Sequence, residues 1–288
     1  MATATTATST APVIGIFAIQ GAVEEHANCV RRVGGTVKEI RRTDDFDGVD
    51  GIILPGGEST TMAIVGERWG LFPKLREWVG ANKPIWGTCA GMILLSDHAI
   101  KQAEGGQSLV GGLDVHVCRN FFGSQMQSQE LAVELAAAAA PALSSGGTSS
   151  AVFIRAPAIL SAGPDVEVLA SVVARPHVSA KADVLRLIDE AGAGEAGEGA
   201  PAAKKRRVST HRSSAAPHTT HSGPSGNFGE ADEEVEVFVA VQKGNILATA
   251  FHPELTDDTR WHRYFVDMTI AAANKASGEG SAKKAKGK

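Results

Sequence analysis

The chain has 288 residues, a length that accommodates one large domain or two small ones. Its 28 Lys and Arg against 32 Asp and Glu leave a net charge of −4, so no global positive field exists, and neither nucleic acid nor a membrane is expected as a partner. Three scattered cysteines, Cys29, Cys89 and Cys118, exclude a disulfide framework and a zinc site, which predicts a reducing compartment and no metal.

The first half of the sequence alternates short apolar runs with amphipathic segments. Strands are predicted at residues 13–19, 36–40, 51–54 and 85–86, and helices at residues 23–33, 60–65 and 71–79. Gly-rich joints separate these elements. Alternation of this kind is typical of an α/β fold, and we expect a three-layer sandwich with a mostly parallel, mixed central sheet and helices on both faces.

The second half contains strands without long helices between them. They are predicted at residues 113–119, 152–154, 166–173, 235–242 and 246–251. The last two are joined by Lys243-Gly244-Asn245 as a hairpin, and a final helix is expected at about 258–274. This pattern predicts mixed or antiparallel additions to the sheet.

The expected domain organisation is a single domain at residues 13–274, between a flexible N-terminus at 1–12 and a disordered basic tail at 275–288. Gly, Ala, Ser, Pro and charged residues dominate after Asp189, so a largely disordered insertion is predicted at about 178–232, with a marginal helix at 178–188. Within it, residues 201–208 (PAAKKRRV) resemble a basic nuclear-import signal, although a solvated charge cluster fits equally well.

Cys89 lies in a setting typical of a nucleophile. The turn Gly87-Thr88-Cys89-Ala90-Gly91 follows a short strand and precedes a helical segment, as a nucleophile elbow requires. The flanking glycines suit a sharp, strained turn, and a helix N-terminus favours a thiolate. The alternative is a small buried cysteine on a glycine turn. Cys29 and Cys118 have no such setting and are interpreted as packing residues.

A thiolate nucleophile needs a proton shuttle, and His252 is the best candidate among nine histidines. It ends a strand, and Glu254 two residues later is expected to project to the same side and orient the imidazole, which completes a Cys-His-Glu triad. Alone, this His-Pro-Glu segment is more often a surface turn. Three other histidines lie in the predicted insertion, and no orienting partner is assigned to the remaining five: His26, His98, His116, His177 and His262.

The turn Pro55-Gly56-Gly57 follows another buried strand. Its backbone N–H groups, together with that of Ala90, are candidates for an oxyanion hole. A phosphate-binding loop is the competing interpretation. It fails because no Lys-Ser/Thr pair follows and no GxGxxG motif is present.

Six segments carry a resemblance to a known family: QGAVEEH (20–26), PGGESTT (55–61), GTCAG (87–91), RNFFGSQ (119–125), FIRAP (153–157) and FHPELT (251–256). GTCAG with HPE is similar to class I glutamine amidotransferases in general. The other segments narrow the resemblance to the glutaminase subunits of pyridoxal 5′-phosphate synthase. Among these subunits, the chain most resembles plant or green-algal members. In this chain Gln129 replaces the aromatic residue that usually precedes Glu130. This difference does not affect the triad residues.

The resemblance implies Cys89 as nucleophile with His252 and Glu254 as partners. It implies glutamine-binding positions at Gly57, Glu58, Ser59, Arg119, Ile154 and Arg155. An arginine suits the substrate's α-carboxylate, but the sequence leaves open which one binds it.

The implied activity is hydrolysis of L-glutamine without a cofactor, with ammonia passed to a synthase subunit. That subunit is expected to dock near Gln20-Gly21 and Pro55–Ser59 and to activate the glutaminase. A cytosolic location is predicted, and the basic motif leaves a nuclear one open. The rival hypotheses are another triad amidotransferase or cysteine hydrolase, and a non-catalytic nuclear interaction protein on the same fold.

Overall fold

The computed structural model describes residues 11–100, 106–123, 129–136, 143, 147–193, 206–207, 210–211 and 234–285. The predicted flexible N-terminus and the basic motif at 201–208 lie almost entirely outside these ranges, as does most of the predicted insertion.

The elements are numbered in chain order. The strands are β1 (Val13–Phe17), β2 (Thr36–Ile40), β3 (Gly51–Leu54), β4 (Ile85–Thr88), β5 (Ser96–Ile100), β6 (Leu113–Cys118), β7 (Gln129–Leu135), β8 (Thr148–Phe153), β9 (Ala158–Ala162), β10 (Glu167–Ala174), β11 (Arg206–Arg207), β12 (Thr210–His211), β13 (Glu234–Lys243) and β14 (Ile246–Thr249). The helices are α1 (Val23–Arg32), α2 (Ser59–Arg68), α3 (Leu71–Gly80), α4 (Ala90–Leu95), α5 (Val178–Ala193) and α6 (Arg260–Ala285).

One sheet runs through the described part of the molecule. Its main path is β2-β1-β3-β4-β14-β13-β10-β7-β8. The first five strands are mutually parallel, and the pairs from β14 onward are antiparallel. The predicted α/β architecture with a mixed sheet is therefore confirmed. The inner parallel strands β1, β3, β4 and β14 are almost continuously apolar because both of their faces are covered.

Helices cover the parallel strands on two faces. The crossover through α1 leads from β1 to one sheet edge, and the crossover through α2 and α3 leads from β3 in the opposite direction. Because connections between parallel strands are right-handed as a rule, crossovers in opposite directions place α1 on one face of the sheet and α2 and α3 on the other. The helix α6 packs against α1, and its Phe265 and Thr269 lie directly over Gly51 of β3.

Both halves of the sheet share one core. Ring contacts run from Phe122 through Phe153 and Phe251 to Trp261, with centroid separations of 4.4, 5.7 and 5.5 Å. They join the antiparallel half to α6, and Phe251 is the residue before His252. The predicted hairpin is also confirmed: β13 and β14 pair antiparallel around Gly244, which has a φ of 57°. The ring contacts of Phe251 and the pairing of β14 together fix the backbone that leads into the His-Pro-Glu segment.

The marginal helix predicted at 178–188 is present within α5, in which Ala180 and Val184 are fully buried one turn apart. The described part of the insertion also contains two short strands that were not predicted, and they pair with β9 and β13. Sheet edges offer hydrogen bonds that composition alone does not show. The last helix continues to Ala285, beyond the predicted limit at 274 and into the predicted tail, where Ala and Lys favour helix and no proline interrupts it.

No helix within the described ranges is long and apolar enough to cross a bilayer.

Candidate active site

Cys89 occupies a strained turn between β4 and α4. Its φ of 47° and ψ of −102° fall where L-residues rarely lie, and its N–H donates to the Thr249 carbonyl at 2.8 Å. A Cβ at Gly91 would overlap the carbonyl of Leu54 on β3, so a glycine is required there for α4 to pack so closely. The strand, sharp turn and helix expected of a nucleophile elbow are therefore present.

His252 and Glu254 follow β14. The His252 N–H donates to the Val152 carbonyl at 2.9 Å, and ring Nδ1 lies 2.8 Å from Glu254 Oε1. Because Nδ1 is engaged there, Nε2 is the ring nitrogen left to face the Cys89 sulfur, which acts electrostatically on the imidazole. Residues 253–255 form a single 3₁₀ turn, so it is this turn, and not the extended backbone expected from the sequence, that brings the carboxylate to the ring.

The triad groups are largely removed from solvent and stabilise one another's charges. Burial opposes the charged form of His252, but the Cys89 sulfur and the Glu254 carboxylate raise its pKa to about 10. Burial likewise opposes the charge on Glu254, but the imidazoles of His26 and His252 beside it lower its pKa to about 2. The imidazolium and the carboxylate are therefore the favoured forms at neutral pH.

A cavity of about 360 Å³ opens in front of Cys89 and His252. The predicted glutamine-binding and oxyanion residues line it together: Gly56, Gly57, Glu58, Ser59, Ala90, Arg119, Ile154 and Arg155. Glu254 is not in the lining, because it lies behind His252. The structure thus brings every sequence-predicted site residue to one place.

The glycine turn after β3 is held from the side of residues 20–22. The Gly56 carbonyl accepts the Ala22 N–H at 3.2 Å, and the Glu58 N–H donates to Gln20 Oε1 at 2.7 Å. A Cβ at Gly56 would overlap the His252 ring. The absence of a side chain therefore lets this backbone lie directly against the imidazole.

Two charged groups of the pocket, Glu58 and Arg119, already interact with neighbouring protein groups. Glu58 caps α2 by accepting the N–H groups of Thr60 and Thr61 at 3.1 and 2.6 Å. Partial burial raises the pKa of the Glu58 carboxyl, but the hydrogen bonds from Thr60 and Thr61 outweigh this effect and lower it. Arg119 Nη2 lies 3.6 Å from Glu58 Oε1, whereas Arg155 is exposed in a turn with a φ of 46°. The two arginines therefore present different environments to a ligand.

Two residues of this region were missed by the sequence analysis. His26 and His262 were assigned no orienting partner, but they contact each other and the triad: His26 Nδ1 lies 2.9 Å from His262 Nε2, and His26 Nε2 lies 3.4 Å from Glu254 Oε2. One signal was available, since His26 is four residues before Val30 and shares the apolar face of α1. Their meeting across 236 positions is a tertiary contact that no local pattern reports.

Fold and site together define an α/β protein with a Cys-His-Glu cluster at the carboxyl edge of its parallel strands. A sequence profile of the SNO glutamine amidotransferase family matches residues 16–186 and 215–271. The chain belongs to this family, and the resemblance found in its sequence is confirmed.

Individual relatives cover most of the chain. A protein of Arabidopsis thaliana named probable pyridoxal 5′-phosphate synthase subunit PDX2 is 45% identical over 273 residues, which span 93% of this chain and 90% of that protein. The pyridoxal 5′-phosphate synthase subunit PdxT of Streptomyces griseus is 36% identical over 91% of this chain and 98% of its own length. A crystal structure of a glutamine amidotransferase superposes with a TM-score of 0.60 at 28% identity, covering 89% of this chain and 98% of that one.

Proposed function

We propose that this chain is a glutaminase that hydrolyses L-glutamine to glutamate and ammonia and supplies the ammonia to a pyridoxal 5′-phosphate synthase subunit. The observation that carries the proposal is the placement of Cys89 on a strained elbow that shares one pocket with His252, whose ring is held by the buried Glu254. Relatives named as subunits of that synthase support the assignment of the pathway.

In the first half-reaction, the Cys89 thiolate attacks the side-chain carbonyl carbon of glutamine. His252 then donates its Nε2 proton to the amide nitrogen, the C–N bond breaks, and ammonia leaves behind a γ-glutamyl thioester on Cys89. The Glu254 carboxylate on Nδ1 fixes the imidazole so that Nε2 faces the sulfur and the leaving group.

In the second half-reaction, water attacks the thioester carbon while His252 Nε2 accepts its proton. The C–S bond then breaks, which releases glutamate and restores the thiolate and imidazolium. Both tetrahedral intermediates carry a negatively charged oxygen. The N–H groups at Gly57 and Ala90 are the proposed donors to it, with Gly56 supplying the close backbone approach to His252.

Glutamine is an amino acid, so its carboxylate and ammonium groups need opposite charges in the pocket. The guanidinium groups of Arg119 and Arg155 are the cations available to the carboxylate, and Glu58 is the anion available to the ammonium group. Ser59 and Ile154 complete the walls that surround the side chain.

The synthase partner is proposed to dock at the mouth of this pocket, near Gln20-Gly21 and Pro55–Ser59. The two segments are joined by the hydrogen bond from the Glu58 N–H to the Gln20 side chain and by the one from the Ala22 N–H to the Gly56 carbonyl. A partner that contacts one segment therefore acts on the other. We further propose a cytosolic location, which the three buried cysteines support because they form no disulfide with one another and a reducing compartment keeps thiols reduced.

The test is glutamate release by the purified chain, alone and with the synthase subunit, for wild type, Cys89→Ala and Cys118→Ala. Cys89→Ala should lose on the order of 10⁴-fold or more in kcat, because the nucleophile is gone. Cys118→Ala removes a thiol away from the pocket lining and should retain activity. A wild-type complex without glutaminase activity, or an active Cys89→Ala, would refute the proposal.

A further inference from the structure

The Glu254 carboxylate has two different oxygens. Oε1 bonds His252, whereas Oε2 is buried and makes no hydrogen bond that meets standard geometry. The side chain of Glu254 is fully inaccessible to solvent. A buried carboxylate oxygen without a donor is costly, so an N–H group close to Oε2 would stabilise it. His26 Nε2 lies 3.4 Å from Oε2.

His26 belongs to a buried cluster that links three elements behind the triad. Its Nε2 also lies 3.1 Å from the Thr88 hydroxyl, next to Cys89, and its Nδ1 lies 2.9 Å from Nε2 of His262 on α6. Both histidine side chains are completely or almost completely buried, and Trp86 packs edge-on against each of them, with centroid separations of 5.7 and 4.9 Å. The rings therefore have little freedom to rotate.

The hydrogen bonds allow two arrangements of protons, and one is favoured. Burial lowers the pKa of both His26 and His262, so each carries a single N–H at neutral pH. If His26 carried it on Nδ1, the Nε2 lone pair would face the Glu254 carboxylate. With the N–H on Nε2, His26 donates towards Oε2 and Thr88 while Nδ1 accepts from His262 Nε2. The lone pair of His262 Nδ1 is then left without a partner, which costs less than an unpaired N–H.

We propose that His26, oriented by His262 and Thr88, is a positioning residue that presents an N–H to the second oxygen of Glu254 and so extends the triad into a five-residue chain, Cys89-His252-Glu254-His26-His262. This inference rests on the proposed glutaminase function. His26 does not line the substrate pocket and touches neither glutamine nor the reacting atoms. Its effect passes through Glu254.

This arrangement has a consequence for both charge and geometry. An N–H at Oε2 stabilises the ionised carboxylate and fixes its plane, which in turn stabilises the imidazolium of His252. The other titratable groups that influence the network are Cys89, Glu25 and Arg32 of α1, and Asp258 before α6. None of these is altered by a substitution at His26.

The first experiment compares His26→Leu with His26→Gln in the complex with the synthase subunit. Leu removes the donor, whereas the Gln side-chain amide places an N–H close to the position of Nε2. We expect His26→Leu to lower kcat by about 10- to 100-fold with little change in the KM for glutamine, as for other residues that orient a reacting group through a partner. The alkaline limb of kcat/KM should move to lower pH, and His26→Gln should restore most of the activity.

A second readout does not depend on turnover. The rate at which iodoacetamide alkylates Cys89 at neutral pH reports the imidazolium–thiolate pair, and it should fall in His26→Leu and recover in His26→Gln. If wild type with its partner failed to hydrolyse glutamine, the proposed function would be wrong, yet this rate would still decide the role of His26. Unchanged kcat, pH profile and alkylation in His26→Leu would overturn the inference, as would equal losses in both variants.

Two further variants separate positioning from simple destabilisation. His262→Phe keeps the ring contact with Trp86, removes the donor to His26 and should reduce kcat to an intermediate level, so it decides the matter if His26→Leu does not fold. Thr269→Val removes a buried hydroxyl from the same helix, far along the chain from the triad, and should leave kcat and the pH profile unchanged. Wild-type behaviour in His262→Phe, or equal losses in Thr269→Val, would contradict the proposal.

Discussion

At the scale of single residues, the backbone of Gly56 lies directly against the His252 ring. Gly56→Ala would place a methyl group within the imidazole. Because a displacement of about 1 Å of a reacting group costs on the order of 10²-fold in rate, we expect at least that loss of kcat in steady-state glutaminase assays. The matched control is Gly80→Ala, where a Cβ meets nothing within 4 Å. Equal activity of the two variants would show that His252 tolerates displacement.

The charge of His252 makes a prediction about pH. The imidazolium is the form that donates a proton to the leaving nitrogen, and its neighbours raise the pKa of His252 to about 10. The active form is thus present below this pKa and lost above it. We expect kcat/KM to hold from neutral to alkaline pH and to fall as the pH rises through about 10. A fall centred near the ordinary histidine pKa of about 6.5 would mean that the Cys89–His252 pair does not form.

At the scale of elements, α5 is the part of the insertion whose packing can be tested. Val184 is fully buried, whereas Val178, at the start of the same helix, is 85% exposed. Val184→Asp should lower the free energy of unfolding by about 2–3 kcal/mol, because it buries an unpaired charge, and Val178→Asp should change it by less than about 0.5 kcal/mol. Urea unfolding of both variants measures the difference. Equal midpoints would show that the burial of Val184 in α5 contributes nothing to stability.

Elements also differ in how directly the sequence predicts them. The Lys243-Gly244-Asn245 turn and the apolar strands around it are local signals, and they predicted the β13–β14 hairpin. Short strands such as β11 and β12 carry no such signal, because their stability comes from the strands that they pair with. The helix α6 ends at Ala285 and not at the predicted limit of 274, because the Ala and Lys residues of the predicted tail favour helix.

At the scale of the whole molecule, the fold places the cysteines in different environments. Cys89 faces the pocket, whereas Cys118 on β6 is fully buried in the shared core. Alkylation located by mass spectrometry should therefore modify Cys89 in the native protein, and Cys118 only as the core unfolds in urea. The Cys89→Ala variant should lose the early modification alone. Early modification of Cys118 would show that the antiparallel half opens independently of the rest.

By itself, the sequence determined the local elements and the candidate catalytic residues. The glycine-flanked Cys89, the apolar strands and the spacing of His252 and Glu254 can be recognised in short segments, because steric limits on turns and the periods of helices and strands act between near neighbours. Only the tertiary structure decided which parts meet. The contact of His26 with His262 and Glu254, the docking of α5 and the closeness of Gly56 to His252 depend on how distant elements pack, and packing is a property of the assembled core.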